Sequence, residues 1–306
     1  MKMNHDIPIA QVVQIDNVPV GQNRNSFLST SFNRSQNFNS ENEELISFLT
    51  LNNWPIALQN TAIKHLKNIY YRFIIVDDSG SMLTGDGKKL YKKDNIQKVV
   101  SCSRWEELTD SIKFHASFSE KGHFPTEFRL LNGSPPILLG NGAEDDGVGF
   151  RNLMNALDRS PAGGTPLCRH INEIVAQIRT MEPHLRQTGE KVVVIIATDG
   201  ESSDGDIAQA MSPLQSLPVI VVIRLCTDDD RVCDYWNNID SQIELEIDVL
   251  DDLFGEAKEI TSSNPWLTYG EPIHRLREGG IPVKEFDLLD ETKLTPLQIL
   301  TIISMM

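Results

Sequence analysis

Short apolar runs, bounded by polar turns and separated by stretches of helical period, organise most of this chain. Residues 71–76 read YRFIIV, 191–197 read KVVVIIA and 219–225 read VIVVIRL. Each run is rich in β-branched residues and short, so each predicts a strand. None alternates apolar with polar positions. Continuous runs of this kind belong to strands covered on both faces, as in parallel α/β sheets. The segments between them carry helical period and predict helices over 104–118, 150–157, 166–181, 207–214 and 231–238. Residues 127–131 and 136–139, split by Asn132-Gly133-Ser134, predict a hairpin. A last strand is expected over 244–249 and a closing helix over 251–260. The predicted class is α/β, with a Rossmann-like, doubly wound and mostly parallel sheet flanked by helices.

Flanking segments follow other rules. Leu45, Ile46, Phe48 and Leu49 share one helical face, and Pro55 opens a second helix carrying Leu58, Ile63, Leu66 and Ile69. Residues 44–70 therefore predict a helical hairpin leading into a domain over 71–261. Residues 21–43 are dense in Asn, Ser and Gln, a composition that cannot offset the entropy of ordering, so 1–43 is expected to be a flexible tail. Within it, 7–20 (IPIAQVVQIDNVPV) leans apolar and reads either as tail or as a strand added to a sheet edge. Beyond residue 262, Pro265, Pro272, Gly279-Gly280 and Pro282 punctuate an extension to 306. Helices are expected there over 273–278 and 296–304, the second capped by Thr295 with Pro296 in its first turn. That last helix is apolar on most sides and is expected to pack on the domain.

Composition narrows the function classes. The chain has 306 residues, 40% hydrophobic and 23% charged, which fits a globular protein. Asp and Glu total 43 against 28 Lys and Arg, a net charge of -15 with pI near 4.9. Such a surface repels nucleic-acid phosphates and anionic membranes. No apolar run approaches the ~20 residues of a membrane helix. Residues 1–7 lack the apolar core of a signal peptide. Cys102, Cys168, Cys226 and Cys233 are scattered, which predicts free thiols in a reducing compartment. An intracellular, cytoplasmic protein is expected.

Three polar signals sit where strand or loop meets helix. Asp77, Ser79 and Ser81 follow the first strand directly. Thr165, in Gly163-Gly164-Thr165-Pro166, stands at a helix start, and Asp199 follows the strand over 191–197. In a doubly wound sheet the carboxyl ends of the strands share one edge, where ligands bind. These residues offer only hydroxyl and carboxylate oxygens, a set suited to Mg²⁺, Mn²⁺ or Ca²⁺ rather than Zn²⁺. A turn with a helix cap is the alternative use of 77–81.

With these motifs in order, the chain resembles the von Willebrand factor A-type (vWA) domain family over roughly 71–260. Asp77-Asp78-Ser79-Gly80-Ser81 matches its D-x-S-x-S motif, Gly163-Gly164-Thr165 its G-G-T and Thr198-Asp199-Gly200 its T-D-G. The resemblance implies a metal-ion-dependent adhesion site (MIDAS). In it Ser79, Ser81 and Thr165 would offer hydroxyls, and Asp77 and Asp199 would bind directly or through water. Asp78 is the variable position. One coordination place would be left for an Asp or Glu of a protein partner. The departure from the family is 83–103, an unusually long Lys-rich segment beside the site, whose Lys88-Lys89 and Lys92-Lys93 either attract an acidic partner or are only solvated.

The expected function is a non-enzymatic, metal-dependent adaptor or scaffold. The alternative is a Mg-dependent phosphohydrolase using Asp77, since an Asp after the first strand also opens the D-x-D-x-T/V signature of haloacid-dehalogenase phosphatases. Ser79 replaces that signature's second Asp and with it the general acid. The seven His show no metal-ligand spacing. Cys226, Cys233, Trp105, Trp236 and Trp266 are expected to pack. Asp228–Asp229–Asp230 reads as a helix N-terminus, and Glu144-Asp145-Asp146 as an exposed loop.

Overall fold

The structure, a computed structural model, describes residues 38–93, 96–133, 135–141, 147–227, 229–243, 245 and 247–306. The tail reading of 1–37, the strand reading of 7–20 and the loop at 144–146 lie outside the described residues. A six-stranded sheet has the order β5-β4-β1-β6-β7-β8. Its strands are β1 (Ile69–Val76), β4 (Thr126–Leu130), β5 (Ile137–Leu139), β6 (Lys191–Thr198), β7 (Val219–Leu225) and β8 (Ile247–Leu250). All neighbours are parallel except β4 and β5, which form the expected antiparallel hairpin. The chain runs outward from β1 to β4 and β5, then returns to lay β6, β7 and β8 on the other side of β1. The direction of winding therefore reverses between β1 and β6, where doubly wound sheets bind ligands.

The period-2 geometry of the strands divides the apolar runs between two cores. Ile74, Val76, Val193, Ile195, Ala197, Ile220 and Val222 point to one face. Phe73, Ile75, Val192, Val194, Ile196, Val221 and Ile223 point to the other. The second face is covered by α5 (Leu167–Thr188), α6 (Ile207–Met211) and α7 (Asp230–Gln242). The first face takes α1 (Phe38–Leu51), α2 (Ile56–Leu66), α3 (Arg104–Gly122), α4 (Val148–Leu157), α8 (Leu253–Ser263), α9 (Glu271–Glu278), α10 (Lys284–Glu291) and α11 (Pro296–Met305). Among the described residues, no helix is long and apolar enough to cross a membrane.

Several boundaries depart from the sequence expectation. The first helix begins at Phe38 rather than Glu44, inside the stretch expected as tail. The helix expected over 207–214 breaks after Met211 into a 3-10 turn, Ser212–Ser216, because Pro213 lacks the N–H that an α-helix needs. The Lys-rich segment is not a loop. It forms an antiparallel hairpin of β2 (Gly87–Lys93) and β3 (Ile96–Cys102), separate from the main sheet. Its root is held by Glu107, which accepts from the Lys88 backbone N–H at 2.9 Å, and by Lys88 beside Asp252 at 3.6 Å.

The segment after α8 completes the first core with Leu267, Tyr269, Ile273, Leu276, Phe286 and Leu289. Asn264, fully buried, donates to the carbonyls of Leu289 and Thr292 at 2.8 and 2.7 Å and accepts from Leu294 N–H at 3.0 Å. Gly280 has φ +67°, and a Cβ there would lie 2.2 Å from Val193 Cγ1, so the turn after α9 sits directly on β6. Thr295 and Gln298 form a capping box at the start of α11. Only one side of α11 packs, since Leu297, Leu300 and Ile303 are exposed. Trp105 and Trp236 are buried as expected, whereas Trp266 is 38% exposed. All four cysteines are free thiols.

Asp287 on α10 yields a pH prediction. Burial pushes its carboxyl up to about 7, with Asp248 adding repulsion and Arg277 opposing it. A raised folded pKa contributes stability below the unfolded carboxylate pKa that is lost as pH rises toward 7. Asp287→Asn is therefore expected to melt like wild type near pH 4 and above it at pH 8. Parallel melting curves of the two proteins from pH 4 to 8 check this.

Candidate metal site

Of the residues singled out by sequence, Asp77, Ser79, Ser81 and Asp199 follow the carboxyl ends of β1 and β6, and Thr165 lies in the link before α5. The parallel register pairs Val76 with Ala197, and Asp77 N–H donates to the Ala197 carbonyl at 3.0 Å, so the two strand ends are locked side by side. Asp77 is fully buried. One of its oxygens accepts from Ser79 N–H at 2.9 Å and the other from Thr198 Oγ at 2.6 Å. Burial raises its pKa, opposed by these hydrogen bonds and reinforced by Asp199. A cation nearby would act in the opposite direction and favour the carboxylate.

From Asp77 the chain enters a 3-10 turn, Gly80–Leu83. This tight turn brings the Ser79 and Ser81 hydroxyls within 3.0 Å of each other. Ser81 Oγ also donates to Asp199 Oδ1 at 2.8 Å, so Ser79, Ser81 and Asp199 form one continuous arc of oxygens. In a regular Mg²⁺ octahedron with Mg–O of about 2.05 Å, adjacent oxygens lie about 2.9 Å apart. The separations in the arc are those of direct hydrogen bonds and also lie close to the spacing of adjacent ligands of such an ion, and the donors are hard oxygens throughout.

Thr165 comes from the link between α4 and α5. Gly80 N–H donates to the Gly163 carbonyl at 3.2 Å, which joins this link to the first motif. Gly163 has φ +106°, and a Cβ there would lie 2.4 Å from Asn132 Oδ1, so both conformation and space call for glycine. Thr165 is buried. Its N–H donates to Ser203 Oγ at 3.0 Å and its carbonyl accepts from Ser203 N–H at 2.9 Å.

Three supporting residues were not legible from the sequence. Asn132, read as a turn residue, donates from Nδ2 to both Asp78 Oδ1 and the Gly164 carbonyl, at 2.9 and 2.8 Å. Asp78 also accepts the Asn132 N–H at 2.8 Å. Ser203 fixes the Thr165 backbone. Arg104, the first residue of α3, donates from Nη1 to Asp199 Oδ2 at 2.9 Å. Its Nε and Nη2 make a fork on Asp86 at 2.7 and 2.6 Å. Ser103 and Glu106 form a capping box at the start of this helix, and nothing local in the sequence pointed Arg104 at Asp199.

No family model matches this chain, and no curated protein matches it. Among the described residues, no group of three or more His, Cys, Asp or Glu side chains is arranged to hold a metal. The candidate set has two carboxylates and draws its other oxygens from hydroxyls. A large cavity of about 1100 Å³ lies elsewhere, between β8, α8 and α10, where Asp248, Glu256 and Asp290 already converge on Arg277. Of the residues singled out by sequence, Ser81 is exposed at the sheet edge, while Asp77, Ser79, Thr165 and Asp199 are buried.

Proposed function

We propose that this chain is a non-enzymatic binding module of the vWA type whose MIDAS captures a carboxylate of a protein partner. Ser79, Ser81 and Thr165 offer hydroxyls to Mg²⁺, or to Mn²⁺ or Ca²⁺, while Asp77 and Asp199 act directly or through water. Bound there, the cation supplies positive charge and an open coordination place for the partner's Asp or Glu. The observation that carries this reading is the oxygen arc, with separations of 3.0 and 2.8 Å at the junction of β1 and β6. Around it, Asn132 and Ser203 hold the loops, and Thr198 orients Asp77. The ordered motifs of the vWA family fall on the matching elements, which supports the same reading.

Capture is tested on an array of acidic peptides, each paired with its Asn or Gln counterpart. Retention is expected only for Asp- or Glu-bearing peptides, only with Mg²⁺, and not by Thr165→Ala. Retention that survives chelation would defeat the proposal. Ser79 stands where the D-x-D-x-T/V signature carries its second Asp, so the general acid of that phosphatase chemistry is missing. No turnover of a generic aryl phosphate with Mg²⁺ is therefore expected. Turnover that Asp77→Asn abolishes would replace the binding reading with a hydrolase.

A further inference from the structure

Arg104 joins the candidate site to the root of the β2–β3 hairpin. It is the first residue of α3, directly after β3 and the capping Ser103. Its backbone N–H donates to the Thr84 carbonyl at 3.0 Å, which fixes the start of the helix against the turn that leaves the site. Its side chain is only 13% exposed and lies between two carboxylates. Asp86, the residue before β2 begins at Gly87, takes the fork at 2.6–2.7 Å, and Asp199 takes Nη1 at 2.9 Å. Asp199 thus receives Ser81 Oγ on one oxygen and a guanidinium on the other.

This arrangement places a fixed positive charge on a carboxylate that the proposed cation must share. We infer that Arg104 is a built-in counter-cation of the site, which competes with the divalent ion for Asp199 and links cation binding to the hairpin root through Asp86. The inference rests on the binding-site reading above. Its physics is reciprocal coupling: whatever Arg104 takes from the affinity for the cation, the cation takes from the hold of Arg104 on Asp199. A guanidinium stays charged throughout the physiological range, so the competition operates at every such pH. In the absence of a cation, Arg104 offsets the repulsion between Asp77 and Asp199 and keeps the strand ends together. With a cation bound, Arg104 relaxes onto Asp86 alone, and Asp86 is the residue from which the lysine-bearing hairpin departs. The arginine is a positioning residue, not a ligand of the ion.

The test is calorimetric titration with Mn²⁺ of wild type, Arg104→Gln, Arg104→Lys and Asp77→Ala. Arg104→Gln is expected to bind Mn²⁺ about tenfold more tightly than wild type, within the 5–150-fold range of coupled sites. Arg104→Lys keeps the charge but loses the fork and should fall between them. Asp77→Ala should not bind. Equal or weaker binding by Arg104→Gln, with Asp77→Ala still silent, would overturn the inference and leave the site standing. No binding by wild type and Arg104→Gln alike would overturn the site itself and this inference with it. A second readout uses wild type only and so does not depend on how a variant folds. The Nε–H signal of Arg104 in nitrogen-15 spectra, together with amide exchange at Thr84–Gly87, should change on adding Mg²⁺. An Nε–H signal and exchange rates that stay constant while Mg²⁺ saturates the protein would contradict the coupling.

Discussion

Glu278→Ala is expected to lower the unfolding free energy by about 3–5 kcal/mol, the usual cost of removing one partner from a buried ionic cluster. Glu278 on α9 is 2% exposed. It accepts from Ser111 Oγ at 3.0 Å, from Arg224 Nε at 3.2 Å and from Arg275 Nη1 at 2.8 Å. His274 and His115 stand 3.2 and 3.5 Å away. Arg224 is shared with Glu107 on α3. The cluster thus ties α3, β7 and α9 into one unit beneath the hairpin root. Without Glu278, the guanidinium of Arg224 keeps one carboxylate and Arg275 keeps Glu271 and Asp110, while buried donors lose an acceptor. Glu278→Gln, which keeps volume and an acceptor oxygen, should cost less. Urea unfolding with comparable slopes measures both, and a loss under about 1 kcal/mol for the alanine variant would mean that the cluster behaves like an exposed pair.

The same cluster predicts acid sensitivity. Burial alone would raise the Glu278 carboxyl, but Arg275 and, after it, His274 outweigh burial and keep it well below the usual carboxylate range. Burial pushes His115 down to about 4 and lowers His274, partly opposed in both cases by Glu278. A depressed histidine is neutral in the fold and protonated when unfolded, so stability falls as pH drops from about 6.5 toward 4. The depressed carboxylate adds a further loss that sets in near the unfolded Glu pKa of about 4.3 and falls mostly below that window.

The second large effect is stabilisation by metal. A ligand that binds only the native state at 100 times its dissociation constant stabilises by about 2.7 kcal/mol. For a chain of this size that corresponds to roughly 5–10 °C in melting temperature. Wild type is expected to gain this shift in saturating Mg²⁺, and Thr165→Ala to gain little of it. Asp77→Ala should gain none and can melt higher than wild type without metal, since it removes a buried carboxylate beside Asp199. Thermal melts across a Mg²⁺ series, with chelator as baseline, check all three proteins. A shift of equal size in Asp77→Ala would assign it to ions elsewhere on the acidic surface.

What the sequence made legible follows from the range of the interactions involved. The strands β1, β6 and β7 are uninterrupted β-branched runs because both faces bury, and burial writes itself into consecutive residues. The candidate site was readable because Asp77, Ser79 and Ser81 lie within one turn, and because every parallel strand delivers its carboxyl end to the same edge. The hairpin of β2 and β3 was hidden by its lysines, which resemble a solvated charge run. Its strands pair with each other and lack the apolar face of a core strand. Helix α10 (KEFDLLDE) buries only Phe286 and Leu289, too few positions to establish a period. Arg104 to Asp199 and Asn132 to Gly164 are contacts between residues far apart in the chain, and nothing in the local pattern of either partner encodes them.

Water-proton relaxation with Mn²⁺ tests the central claim most directly, because it reports both that the ion is bound and that a coordination place is open. Mn²⁺ added to wild type is expected to give an enhanced relaxation rate for one bound ion, absent in the Asp77→Ala and Ser79→Ala variants. Acetate, standing in for a partner's carboxylate, should then lower the enhancement by displacing bound water. The same enhancement in wild type and both variants, or one that acetate leaves untouched, would contradict carboxylate capture at the junction of β1 and β6.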